Sequence, residues 1–142
     1  ELVIVVDTSY STSGELVKKF LRETFTILSE TDSFFRKRKI HIIQCDELVH
    51  SDITVTGDTD IDILINNFEL AGGGNTDFRP AFEYVNNLID TGEIKKLQGL
   101  LYFTDGKGKY PKKKMPYNTA FVFIDKLSET AVPAWAMKVS LE

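Results

Sequence analysis

Asp7, Ser9 and Ser11 stand at alternate positions directly after Leu2-Val3-Ile4-Val5-Val6, an unbroken aliphatic run. One carboxylate and two hydroxyls at that spacing offer hard oxygen donors on one side of a turn, a set that suits Mg²⁺ or Mn²⁺ and suits zinc or copper poorly. Two other segments carry similar groups. Gly99-Leu100-Leu101-Tyr102-Phe103-Thr104 is again apolar and again ends on a carboxylate, Asp105, followed by Gly106. Ala71-Gly72-Gly73-Gly74-Asn75-Thr76-Asp77 sets a hydroxyl, Thr76, behind three glycines that let the backbone bend sharply and bring it close to another group. Each feature also has a plain reading: Ser11 and Ser13 can cap a following helix, Thr76 or Asp77 can cap another, and Asp105-Gly106 can be a simple turn.

The other candidates for chemistry fall away. His41 and His50 have no ligand-spaced partner and are assigned to the sheet surface. Cys45 is the single cysteine, so neither a CxxC metal site nor a dithiol is possible, and a buried free thiol is expected. The glycines match neither GxGxxG nor GxxxxGK[ST], which excludes the dinucleotide and P-loop readings.

The elements that must position these groups follow from periodicity. Leu2–Val6 and Gly99–Thr104 read as strands buried on both faces, with their oxygens at the carboxyl ends, where open α/β sheets bind ligands. Between them the pattern predicts a helix over Glu15–Ser29, with Val17, Phe20, Leu21, Thr24 and Leu28 on its apolar stripe. The basic run Arg36–Lys39 then leads to a strand Ile40–Cys45. Asp46-Glu47 permits only a tight reversal into Leu48–Val55, so these two strands are antiparallel neighbours and the second, with His50, Ser51, Asp52 and Thr54, is a half-wet edge. A short helix capped at Asp58–Asp60 runs through Ile61, Leu64, Ile65 and Phe68 to near Glu69. The next carries Phe78, Ala81, Phe82, Val85, Leu88 and Ile89, with Pro80 in its first turn. Lys107–Asn118, with five lysines and two prolines, has no helical period. Thr119–Ile124 is a further strand, a linker with Leu127 and Pro133 follows, and Trp135–Ser140 is the last strand. The expected fold is α/β and Rossmann-like: an open, mostly parallel sheet of about six strands with one antiparallel edge strand and helices on both faces.

The 142 residues fit one domain, residues 1–142, with a real core. A net charge of −4 disfavours nucleic acid or an anionic membrane as partner. No stretch reaches the ~18 apolar residues of a membrane helix. Glu1 leads straight into the first strand, which reads as a domain excised from a longer chain. The lone cysteine suits a reducing, cytoplasmic setting.

Taken together, Asp-x-Ser-x-Ser, a glycine-rich threonine loop and Thr-Asp-Gly resemble the von Willebrand factor type A (VWA) domain with its metal-ion-dependent adhesion site. Gly72-Gly73-Gly74-Asn75-Thr76-Asp77-Phe78-Arg79-Pro80 looks most like the bacterial VWA-like domains that follow a predicted metallopeptidase-like domain. The resemblance implies Ser9, Ser11 and Thr76 as hydroxyl ligands of the metal, with Asp7 and Asp105 acting directly or through bound water. The chain is shorter than many members, and Lys107–Asn118 replaces what is often more regular structure. An ion held mainly by neutral hydroxyls keeps its charge and an open position, which favours a carboxylate from a partner protein. The lysines at 107, 109, 112, 113 and 114 read first as an ordinary solvated loop, with steering of such a group toward the ion as the other reading. The expected function is therefore metal-dependent protein binding, with a neighbouring domain in the same chain. The alternatives are a metal-dependent hydrolase or phosphoryl-transfer enzyme with Asp7 as nucleophile, and a structural docking domain with an idle site. The enzyme reading lacks a histidine, a cysteine or any base beyond the two aspartates.

Overall fold

In the computed structural model residues 1–9, 14–29, 39–123 and 132–140 are described. The strands are β1 (Leu2–Asp7), β2 (Ile40–Cys45), β3 (Val49–Val55), β4 (Gly99–Thr104), β5 (Asn118–Phe123) and β6 (Met137–Ser140). The helices are α1 (Gly14–Ser29), α2 (Ile61–Asn66) and α3 (Arg79–Asp90). They build one six-stranded sheet in the order β3-β2-β1-β4-β5-β6. β3 runs antiparallel to β2 at one edge, and every other pairing is parallel. This is the expected α/β sheet with one antiparallel edge strand.

Strand alternation divides the core into two layers. Val3 and Val5 of β1 join Ile43, Tyr102 and Phe121 beneath Phe82, Val85 and Leu88 of α3. Ile4 and Val6 face the other way, with Ile42, Phe103 and Val122, toward Val17, Phe20 and Leu21 of α1 and Ile65 of α2. Phe25 is also buried on this side, because the apolar stripe of α1 drifts around the helix beyond the positions read from spacing.

Several boundaries differ from expectation for local reasons. α2 stops at Asn66, where the Asn67 side chain donates to the Ile63 carbonyl at 2.9 Å and closes the helix, although Phe68 beyond it is still buried. Leu48 belongs to the reversal, and β3 starts at Val49. Residues 105–117 contain no helix. Ser11, Ser13, Arg36, Ile124 and Leu127 lie outside the described residues.

The assignment of His41 to the sheet surface is corrected. It shares the face of Ile43 beneath α3 and is only 3% exposed, with Nδ1 donating to Asp52 Oδ1 at 2.9 Å. Among the described residues, no helix is long and apolar enough to cross a membrane.

The topology has one functional consequence. From β1 the chain proceeds to β2 and β3 on one side, and from β4 to β5 and β6 on the other. The carboxyl ends of β1 and β4 thus flank the switch point of the sheet, where diverging connections leave a crevice.

Candidate functional site

Asp7 ends β1 beside Thr104, the last residue of β4. The Asp7 side chain is fully buried; Oδ2 accepts from Thr104 Oγ1 at 2.5 Å and Oδ1 accepts from the Ser9 N–H at 2.8 Å. Burial pushes the Asp7 carboxyl above the usual carboxylate range. The hydrogen bonds from Thr104 and Ser9 work against this and fail to offset it, and the nearby Asp105 charge adds to the rise. The Asp105 turn is itself fixed, since the Gly106 N–H donates to Thr104 Oγ1 at 3.1 Å and the Lys107 N–H to Asp105 Oδ1 at 3.0 Å. Asp7, Ser9 and Asp105 therefore meet at one end of the sheet.

The glycine loop is bolted to the same end. The Gly73 N–H donates to the Thr8 carbonyl at 2.8 Å, and the Gly74 N–H to Asp46 Oδ2 at 3.0 Å. Gly72 has φ +119°, and a Cβ there would lie 2.8 Å from Thr8 Oγ1 and 2.9 Å from Asp46 Oδ2. Only glycine fits both that backbone and that gap. On its far side the loop packs on the segment leaving Asp105: the Phe78 N–H donates to the Lys109 carbonyl at 3.0 Å, and a Cβ on Gly108 would come within 2.7 Å of Thr76 Cγ2. Phe78 stands at the N-cap of α3 without a side-chain cap, and just before it Asp77 Oδ1 accepts from the Arg79 N–H at 3.0 Å. Among the described residues the Thr76 hydroxyl has no hydrogen-bond partner, so capping does not consume it.

Two residues that organise this edge escaped the reading of motifs. Asp46 was expected only to turn the chain, yet it is buried. Its Oδ1 accepts from the Leu48 N–H at 2.9 Å and from His50 Nε2 at 2.8 Å, while its backbone carbonyl takes the Asp77 N–H at 3.2 Å. Burial raises its pKa, but the Leu48 and Gly74 amides and His50 together hold it below the usual range. Gln44 grips the approach to the loop, accepting from the Ala71 N–H at 2.7 Å and donating to the Glu69 carbonyl at 3.2 Å. The available signal was positional: β2 neighbours β1 in parallel, so polar residues closing β2 must reach the same edge.

The donors fit a hard cation better than a soft one. Among the described residues no cluster of three or more His, Cys, Asp or Glu side chains could hold a metal, so hydroxyls must supply much of any ligand set. Among them too, no ion pair involves Asp7. A buried carboxylate with a second carboxylate nearby is costly to ionise, and an added cation lowers that cost. Ser11 completes the expected set and lies outside the described residues.

A family model described as a VWA-like domain (DUF2201) matches residues 2–142. A crystal structure of an aerotolerance-related membrane protein from Bacteroides fragilis, carrying multiple mutations to serine, is similar at a TM-score of 0.54 and 14% identity. The match covers 86% of this chain and 66% of that one, so this chain spans just under two thirds of its length; at such identity the likeness is one of fold. No curated protein matches the chain.

Proposed function

The chain belongs to the VWA-like domain (DUF2201) family, and from that premise we propose that the end of its sheet is a metal-dependent protein-binding site of the adhesion type. Asp7 carries the proposal, as a buried carboxylate held by neutral donors next to Asp105, with no ion pair to it among the described residues. Ser9, Ser11 and Thr76 would hold Mg²⁺ or Mn²⁺ through their hydroxyls, with Asp7 and Asp105 direct or behind water. The bound ion supplies an electrophilic position for a partner's Asp or Glu carboxylate.

The protein's own residues do the positioning. Thr104 and the Ser9 N–H fix both oxygens of Asp7, and Asp46 pins the glycine loop that carries Thr76. Full burial and two engaged oxygens also make Asp7 a poor nucleophile, which argues against the phosphoryl-transfer reading. Any peptidase-like activity would reside in a neighbouring domain of the same chain. The buried free thiol of Cys45 suits a cytoplasmic setting.

Melting curves with Mg²⁺ or Mn²⁺ test the proposal. Metal at about 100 times its dissociation constant stabilises by about 2.7 kcal/mol, a rise of roughly 5–10 °C. The rise is expected to vanish in Asp7→Ala, and a curve unmoved by millimolar metal would remove the adhesion-site reading.

A further inference from the structure

A cleft of about 260 Å³ lies between α3 and the irregular segment after β4, walled by Pro111, Lys112, Lys113 and Met115 from that segment and by Arg79 and Asn86 from the helix. Its cation-rich wall is exposed. Among the described residues none of Lys107, Lys109, Lys112, Lys113 and Lys114 forms an ion pair. At the mouth, Arg79 is held by Asp77, with Nε to Oδ1 at 3.0 Å and Nη2 to Oδ2 at 2.8 Å. With Arg79 paired to Asp77, Glu83 is the one acidic residue in the lining against Lys112 and Lys113. Phe82, Pro111 and Met115 give the cleft an apolar component.

The cleft is already formed. Asn86 ties the two walls, accepting from Tyr117 Oη at 2.9 Å and donating to Met115 Sδ at 3.6 Å, while Tyr110 packs its ring on Phe78 with centroids 4.6 Å apart. A preformed groove orders little on binding, so its contacts go further toward affinity. Its upper end is joined to the site, because Asp77 bridges Lys109 directly after Thr76.

We propose that this cleft is the second half of the binding surface and takes an acidic, partly apolar peptide segment of the partner whose first carboxylate sits at the metal site. The inference rests on the metal-dependent reading above and adds the chemistry of the partner to it. Arg79 to Asn86 rises about 10 Å along the helix, the reach of about three extended residues. The fitting segment is thus an acidic residue at the metal, an apolar side chain against Pro111 and Met115, and one or two further acids against Lys112 and Lys113. Complementary charge at such a rim speeds association and selects the partner.

The test is a titration of the ¹⁵N-labelled chain with the peptide acetyl-Asp-Leu-Glu-Glu-amide, run with Mg²⁺ and again with chelator. A control peptide carries Gln at both Glu positions. With Mg²⁺, amide shifts are expected at Thr76 and Asp105 and also along Arg79–Asn86 and Pro111–Met115. The control peptide and the double variant Lys112→Glu/Lys113→Glu should each weaken binding about tenfold, with the loss shrinking as salt rises from about 50 to about 500 mM. The metal-induced rise in melting temperature should survive in that variant, showing it folded with its metal site intact. Shifts confined to Thr76 and Asp105, with affinity indifferent to the double variant, would overturn the cleft and leave the metal site standing. Lys-dependent shifts at residues 79–86 and 111–115 that persist under chelator, with no metal-induced melting shift, would support the cleft while removing the metal reading. Larger shifts in the same residues from a short oligothymidylate would overturn the peptide assignment.

Discussion

Asp7 and Asp52 are carboxylates of the same sheet, both tied down by hydrogen bonds, and they titrate in opposite directions. Burial is the largest influence on each and pushes both upward. At Asp52 the His41 and Tyr84 hydrogen bonds, with the charges of His41 and Lys39, outweigh it and hold the carboxyl below the usual range. At Asp7 the donors are a hydroxyl and an amide, the nearby charge is another carboxylate, and the pKa stays high. Asp52 thus has its counter-charge in His41, whereas among the described residues no ion pair involves Asp7. That difference is what the proposed metal site at Asp7 rests on.

The sharpest way to break the comparison is to delete the completed network. Asp52→Ala leaves buried His41 Nδ1 and the Tyr84 hydroxyl, bonded at 2.9 and 2.7 Å, without their acceptor. It should cost about 2–4 kcal/mol by urea unfolding, with the metal response intact in whatever remains folded. A loss under about 0.5 kcal/mol, as at an ordinary surface site, would mean the two carboxylates do not differ as described.

The glycine loop should respond next most strongly. Gly73→Ala, at φ +101° with nothing within 4 Å of the added methyl, should lose about 1–2 kcal/mol from backbone strain alone. Gly72→Ala adds the collision with Thr8 and Asp46 and should cost more and blunt the metal-induced melting shift. Equal behaviour of the two variants would detach the loop from the site.

Asp7→Asn should act with the opposite sign to Asp52→Ala. Removing an uncompensated charge is expected to stabilise the metal-free protein by about 0.5–2 kcal/mol, the usual range for stabilising single changes, while abolishing the metal response. An amide with Nδ2 turned to Thr104 can keep both contacts, because that hydroxyl also accepts. A metal-free variant less stable than the parent would contradict the account of Asp7.

The smallest effect is in the pH profile. With its folded pKa raised, Asp7 makes the metal-free protein less stable as pH rises from the ordinary carboxylate value, 3.8, through the raised one. Asp52, held low, contributes stability that is full above 3.8 and is lost as pH falls through its folded value. Stability curves of Asp7→Asn and Asp52→Asn should therefore flatten on opposite sides of that pH. The proposed metal binding should strengthen as pH rises, because it would use the ionised Asp7.

The strands and most helices were legible because apolar runs and helical stripes are local signals: Leu2–Val6 and Gly99–Leu101–Phe103 announce buried strands, and Pro80 with the stripe from Phe78 announces α3. That Asp7, Asp105 and the Thr76 loop share an edge was also legible, since strand polarity sends every carboxyl end of a parallel set one way. His41 was not. Alternation assigns it a face, but whether α3 covers that face is decided by packing between distant segments. Asp46 was missed for the same reason, because Gly74 and Asp77 reach it from the glycine loop, a distant part of the chain.

Periodicity and chain direction, both local to the sequence, sufficed for the architecture and for bringing Asp7, Ser9 and Asp105 to the switch point. Only the tertiary structure decided which buried carboxylates find a counter-charge. Pairings such as Thr104 with Asp7 span 97 residues, and the electrostatic state of a group depends on what folding brings beside it.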